Sequence, residues 1–235
     1  MSASERRAAP RTAVVWDVLE PVLAHAPLDV VDIGGGTGVS AVRVAELGHR
    51  VQVVDPSPDA LAALARRARE IGVEVAGQQG DLSELLDLVG SESADLVLCH
   101  GVLEVVDDPA AALVAIRQVL RPGGHLSLLV AQRHAAVVAR AMAGHFAQAR
   151  ALLDDTASQG RSGRRFTHAE AADLLAAAGF TVGAVHGIRV FADLVPGSLL
   201  DLEPGATAGL VDLERAVAER PEYLPLATQL HLLAT

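Results

Sequence analysis

In the stretch VVDIGGGTG, Val30 to Gly38, one carboxylate, Asp32, stands just before a run rich in glycine. Asp32, Gly34, Gly36 and Gly38 spell D-h-G-x-G-x-G. Such a turn lets a ligand approach the backbone closely, while the acid offers an acceptor to an ammonium group. The dinucleotide fingerprint G-x-G-x-x-G would need a glycine at position 39, where Val39 stands. A pyrophosphate would be repelled by Asp32; an amino-acid moiety would not. A second acid, Asp55, closes the run RVQVVD, where its two oxygens can accept from the two hydroxyls of a ribose. An acid at this place indicates a nucleoside without saying which. Asp81, in the Gly80–Asp81 turn, can accept from the exocyclic amine of an adenine or cap the helix after it. The combination fits adenosine joined to an amino acid, the pattern of S-adenosylmethionine.

These residues need a sheet edge to hold them, and the hydrophobic pattern supplies one. LDVVDI, RVQVVD, VEVAG, ADLVLC and HLSLLVA read as five strands, continuously apolar where they are longest. Between them run helices: Gly38 to Leu47, a segment from Ser57–Pro58 to about Glu70, a short piece around Leu85, and one opened by Asp108–Pro109 and closed at RPGG. Both acid-or-serine/proline pairs place an N-cap before a first-turn proline. Upstream, Thr12 to His25 has helical spacing, with Pro21 expected to bend or break it. Downstream, Ala135 to Leu153 reads as helix, Asp154 to Arg165 as polar loop, and THAE (Thr167 to Glu170) as a capping box for a helix ending at Gly179. FTVGAVHGIRVF and LPLATQLHLLA are strands six and seven, separated by a Pro-, Gly- and acid-rich stretch with a helix near Leu210 to Arg220. Alternating strands and helices predict an α/β fold, a doubly wound, mostly parallel seven-stranded sheet with helices on both faces and an antiparallel last strand. The chain reads as one domain over 1–235. It carries an N-terminal helical lid (1–27), a helical insertion and loop (133–166) and an insertion before the last strand (196–225).

With its glycine loop, its VVD ribose strand, the turn at 80–81 and LRPGG leading into strand five, the sequence resembles class I S-adenosylmethionine-dependent methyltransferases. PRTAVVW, CHGVLEVVDDP, LRPGGHLSLLVAQRHAAVVARAMAGHF, GIRVFADL and PLATQLHL extend the likeness to the bacterial tRNA 5-carboxymethoxyuridine methyltransferases, which esterify the carboxylate of a modified wobble uridine. The resemblance implies that Arg11 holds the cofactor carboxylate and that Gly34, Gly35, Asp55, Gln79, Gly80 and His100 line the cofactor site, beside Asp32, Gly36 and Asp81. Two stretches depart from the family pattern: DDTASQGRSGRRFT, with Arg161, Arg164 and Arg165 in place of a lysine-rich segment, and AQRH after strand five. Both fall on the side where tRNA would enter.

Methyl transfer from a sulfonium is an in-line displacement on an activated carbon, so alignment is the main task of the protein. A carboxylate acceptor is ionised at neutral pH and needs a cation to orient it. Arg133, His134 and Arg189 are the candidates. A phenol, amine or hydroxyl acceptor would instead use a base, for which His100 and His134 come first.

The formal net charge of −10 opposes broad attachment to nucleic acid, although a local patch at Arg161, Arg164 and Arg165 leaves tRNA open as a partner. The chain has no lysine, so the presence of arginine alone is weak evidence for phosphate recognition. A small-molecule O- or N-methyltransferase, a binding protein that lost turnover and a nicotinamide-dependent oxidoreductase are the rival readings, the last opposed by Val39. Charges interrupt every apolar run before the roughly 18 residues a bilayer crossing needs, and no secretory h-region is visible near the start. The expectation is a cytoplasmic protein without membrane attachment. No His and acid spacing suggests a metal. Cys99, the single cysteine, is expected to be a buried thiol.

Overall fold

The structure is a computed structural model and describes residues 3–24, 27–153, 163–202 and 205–235. In chain order its elements are α1 (Ala3–Leu23), β1 (Asp29–Ile33), α2 (Val39–Glu46), β2 (Arg50–Asp55), α3 (Pro58–Ile71), β3 (Ala76–Gln79), a 3₁₀ turn (Leu82–Glu84) and α4 (Leu85–Val89). Then follow β4 (Ala94–His100), α5 (Pro109–Val119), β5 (Leu120–Ala131), α6 (Arg133–Met142), α7 (Phe146–Ala151) and α8 (His168–Ala177). The chain closes with β6 (Val182–Ile188), α9 (Gly197–Leu202), α10 (Ala206–Val217), a 3₁₀ turn (Leu224–Leu226) and β7 (Gln229–Ala234). The seven strands lie in the order β3-β2-β1-β4-β5-β7-β6, parallel through β5 and antiparallel at β7, as the sequence pattern predicts.

Packing divides the chain into two compact units, each discontinuous in sequence. The glycine-loop unit comprises Pro21–Leu129, Ala172–Gly183 and Leu233–Thr235; the second unit comprises Met1–Glu20, Val130–Ala171 and Ala184–Leu232.

In the glycine-loop unit, β1 pairs in parallel with β2 and with β4. Leu96, Val97, Leu98 and Cys99 of β4 are all fully buried, which explains why that strand is apolar at successive positions instead of alternate ones. The helices open as their caps dictate. Ser57 Oγ accepts from Ala60 N at 3.2 Å, and Asp108 Oδ1 accepts from Ala110 N and Ala111 N, both at 3.0 Å. LRPGG behaves differently from a plain helix stop. Leu120 already pairs with Ala94, the chain bulges through Gly123 at φ 78°, and pairing resumes at His125 opposite Leu96. Arg121 fixes this bulge with ion pairs to Asp29 (2.9 Å) and Asp95 (2.8 Å). Strand three starts at Ala76 instead of Val73, because Gly72 at φ 82° and a bond from Val73 N to Ala68 O (3.0 Å) still belong to the end of α3.

In the second unit, the stretch expected as one helix from Ala135 to Leu153 is broken at Gly144 (φ 77°) into α6 and α7. Thr167 and Glu170 form the anticipated box: Thr167 N donates to Glu170 Oε2 at 2.8 Å, and Glu170 N to Thr167 Oγ1 at 3.3 Å. The insertion before β7 holds two helices, α9 and α10, where one was expected. Pro21 does not break α1, which continues through it to Leu23.

Candidate functional site

The glycine loop is held from both sides. Gly34 leaves β1 at φ 65°, and its N–H donates to Val54 O at 2.8 Å. A Cβ at Gly34 would come within 2.6 Å of Val102 Cγ2, so the position tolerates neither a side chain nor the backbone of an ordinary residue. Asp55, buried at the end of β2, accepts Gly36 N on Oδ2 (2.9 Å) and Ser57 N on Oδ1 (2.8 Å). Each oxygen keeps a second lone pair, which is what two ribose hydroxyls would use. Asp32 lies beneath the loop: a Cβ at Gly35 would sit 2.6 Å from its Oδ2. That oxygen is buried and has no hydrogen-bond partner. Burial, with the Asp55 charge adding to it, pushes the Asp32 carboxyl up to about 7. A cation brought near Asp32 would restore its ionised form.

Above the loop opens a cleft of about 810 Å³, within the range of about 300–1,000 Å³ usual for small-molecule sites. Gly34, Asp55, Gly80, Asp81 and His100 line it, which are five of the residues selected from sequence. Asp32, Gly35, Gly36 and Gln79 are not among its lining residues; Gln79 turns its amide to Pro56 O at 3.3 Å. Asp81 caps the 3₁₀ turn after it, Oδ1 accepting Ser83 N at 2.8 Å, and the Ser83 hydroxyl and N–H hold its carboxyl below the usual range. It thus serves as a cap and faces the cleft as well. Ile33, Leu82, Val102 and Val105 supply apolar wall. Sequence reasoning did not select them, although CHGVLEVVDDP carries two of the four. Arg11 lies on α1, but its side chain falls outside the described residues.

His100 ends β4, its Nε2 2.8 Å from the fully buried Ser127 Oγ. Burial pushes its imidazole down to about 4, so it is neutral at physiological pH. Cys99 is a buried free thiol, and burial pushes its pKa up, so it stays un-ionised.

The three candidates for orienting the acceptor all sit in the second unit, in different surroundings. Arg133 is buried, and its Nη2 donates to both Glu170 oxygens (2.8 and 2.7 Å) and to Arg165 O (3.1 Å). Burial opposes ionisation of Glu170, but the Thr167 N–H and the Arg133 guanidinium outweigh it and hold that carboxyl below its ordinary value. This ion pair joins α6 to the capping box of α8. His134 is exposed. Arg189 stands at φ 62°, outside the usual range for a side-chain-bearing residue. Its Nη2 pairs with Asp193, and its Nη1 donates to Gln229 Oε1 at 3.3 Å. It lines a second cavity, of about 580 Å³, with Arg165, Gln132 and Phe191. Arg164 and Arg165 are half-buried; Arg161 lies outside the described residues, as does most of the loop 154–165. Among the described residues, no three His, Cys, Asp or Glu side chains group to hold a metal, and no helix is long and apolar enough to cross a membrane.

Comparison with known proteins gives a consistent frame. Residues 31–128 match the model of a methyltransferase domain. The tRNA 5-carboxymethoxyuridine methyltransferase of Escherichia coli (strain K12) is 29% identical, over 95% of this chain and 87% of that protein. A ubiquinone biosynthesis O-methyltransferase of Alkalilimnicola ehrlichii is 38% identical over 41% of this chain and 39% of its own length. Among solved structures, an S-adenosylmethionine-dependent methyltransferase from Mesorhizobium loti superposes with a TM-score of 0.63. That match has 20% identity and covers 93% of this chain and 96% of that one.

Proposed function

We propose that this chain, which is an S-adenosylmethionine-dependent methyltransferase, esterifies a carboxylate that reaches it already ionised, the leading acceptor being 5-carboxymethoxyuridine at the tRNA wobble position. The observation that carries the reading is the likeness over nearly the whole chain to a tRNA 5-carboxymethoxyuridine methyltransferase, 29% identical across 95% of it. A carboxylate acceptor needs no base, and the glycine-loop cleft agrees: His100, the imidazole lining it, has Nε2 2.8 Å from Ser127 Oγ, and burial lowers its pKa, away from what suits a general base.

In this reading Asp55 takes the ribose, Gly34 to Gly36 give backbone room for the amino-acid tail, Asp32 supplies the negative field for its ammonium, and Gly80 and Asp81 border the base. Arg11 binds the tail carboxylate, and Gln79 completes the adenine turn. Bound there, S-adenosylmethionine supplies a methyl group activated on a sulfonium, which leaves as a neutral thioether. No proton has to be moved by the protein. Its own residues hold the donor, exclude water and present a cation to the acceptor. Both arginines pair with a carboxylate, but Arg133 is buried with both Glu170 oxygens on its Nη2, whereas Arg189 is a quarter exposed and lines a cavity, so Arg189 is the better candidate for that cation. Arg161, Arg164 and Arg165 supply local positive charge for a tRNA backbone.

A small-molecule acceptor is the second reading, favoured by the net charge of −10 and by the likeness to the ubiquinone O-methyltransferase. Salt separates the two, since tRNA binding weakens steeply with ionic strength and binding of an uncharged metabolite does not. The deciding experiment is mass spectrometry of tRNA nucleosides from cells with and without the protein. Loss of one methyl ester with accumulation of the free acid supports the tRNA reading; unchanged nucleosides overturn it.

A further inference from the structure

We infer that the 580 Å³ cavity of the second unit receives a planar ring carrying a carboxylate, with Arg189 gripping the anion, Glu214 positioning Arg189 and Asp193 occupying the guanidinium until the ligand replaces it. The identity of the ligand rests on the methyl-ester reading above; the site itself does not.

The cavity is mostly apolar, walled by Ala135, Val138, Ala139, Phe191 and Leu226. Arg189 brings a charge to this wall, and its fork is incompletely used. Nε is buried without a hydrogen-bond partner, while Nη1 reaches only Gln229, at 3.3 Å. The partner of Nη2 is itself a carboxylate, Asp193, so the guanidinium already presents an edge suited to that group. Asp193 Oδ2 also lies 3.1 Å from Thr228 Oγ1, whose single hydrogen is shared with Arg189 O and can turn fully to Asp193 if an incoming carboxylate displaces Asp193 from Arg189.

The backbone at Arg189 points the same way. A left-handed conformation on a residue with a side chain costs about 1–3 kcal/mol and persists only where the surroundings impose it. Here they do. Glu214, fully buried on α10, accepts Val190 N (2.9 Å), Phe191 N (2.9 Å) and Ala192 N (2.7 Å), while Thr228 N donates to Arg189 O at 3.3 Å and the Thr228 hydroxyl lies 3.1 Å from the same oxygen. Three donated N–H groups offset the burial of that carboxylate and lock the turn directly after Arg189. Glycine would adopt this φ without strain, so an arginine here gives up stability for the placement of its side chain.

The test is titration of the full chain, saturated with S-adenosylhomocysteine, with 5-carboxymethoxyuridine, phenoxyacetate and uridine. The two carboxylates should bind about tenfold or more tighter than uridine. Arg189→Gly should erase that preference while unfolding at the same or a higher temperature, because the strain is relieved; loss of binding is then not loss of fold. Asp193→Asn should tighten both carboxylates by removing the competing anion. Glu214→Gln places an amide donor against a backbone N–H and should weaken both, with S-adenosylhomocysteine affinity unchanged. Equal binding of uridine, or a preference that survives Arg189→Gly, overturns the inference. If the preference holds but no methyl ester ever forms, the site stands and the esterification reading falls. If Arg189→Gly esterifies with wild-type KM for the acceptor, the reverse is true.

Discussion

The glycine-loop cleft and the surroundings of Arg133 and Arg189 are held over different sequence distances. At the cleft, carboxylates cap backbone amides close by in sequence, Asp55 to Ser57 and Asp81 to Ser83, with one longer reach from Asp55 to Gly36. Around Arg133 and the turn after Arg189 the anchoring partners are remote, although Arg189 itself pairs with Asp193 four positions on. Arg133 meets Glu170 37 positions on, Glu214 holds amides 22 to 24 positions back, and the Gln132 amide donates to Leu224 O across 92 positions. A site built from local turns is written in motifs. One built from distant packing is free to change its ligand while the other stays fixed, as a fold serving many acceptors requires.

The contrast can be broken most sharply at Asp55. Asp55→Ala removes the acceptor of two backbone N–H groups and of the ribose together, and S-adenosylhomocysteine affinity should fall about 100-fold by calorimetry; a change within twofold would remove the cleft from the account. Arg133→Met should act on the fold instead. It strands Glu170 and should lower unfolding stability by about 2–3 kcal/mol in a urea titration, with cofactor affinity unaltered in the molecules that remain folded. Gly34→Ala should cost about 1–2 kcal/mol, since a Cβ meets Val102 and the positive φ is strained.

The smallest effect is one of pH. The folded-state value of Asp32, about 7, lies above its ordinary 3.8, so the folded protein binds the extra proton between them. Stability from this group is therefore fully present below about 4 and lost as pH rises through about 7. Cofactor affinity should move the opposite way over that window, rising roughly three- to tenfold as the ionised acid attracts the ammonium. Asp32→Asn should flatten both curves; an unchanged affinity profile would separate Asp32 from the ligand.

Legibility followed sequence distance, in both units. VVDIGGGTG, the Ser57–Pro58 and Asp108–Pro109 caps and the THAE box were readable because each motif is completed within a few residues. The Gly144 break in the α6–α7 stretch had its signal, a glycine inside an otherwise helical run, but helical periodicity outweighed it. Glu214 was not readable at all. In VDLERAV it looks like a solvated acid on an amphipathic helix, and only the return of the chain at 190–192 makes it a buried cap. Arg133 and Arg189 were indistinguishable as arginines after or within a strand; the structure separates them by Glu170 and by the left-handed φ.

The central claim is that the acceptor is ionised before it arrives, and that the protein aligns it without taking a proton. The direct measurement is the single-turnover rate of methyl transfer to tRNA bearing 5-carboxymethoxyuridine, at saturating S-adenosylmethionine, from about pH 5.5 to 8.5, a range above the usual carboxylate value. A rate that stays flat across that range, yielding a methyl ester, is the expected result. A rate that climbs tenfold per pH unit would contradict it, because such a slope marks a proton that must leave before the methyl group can move.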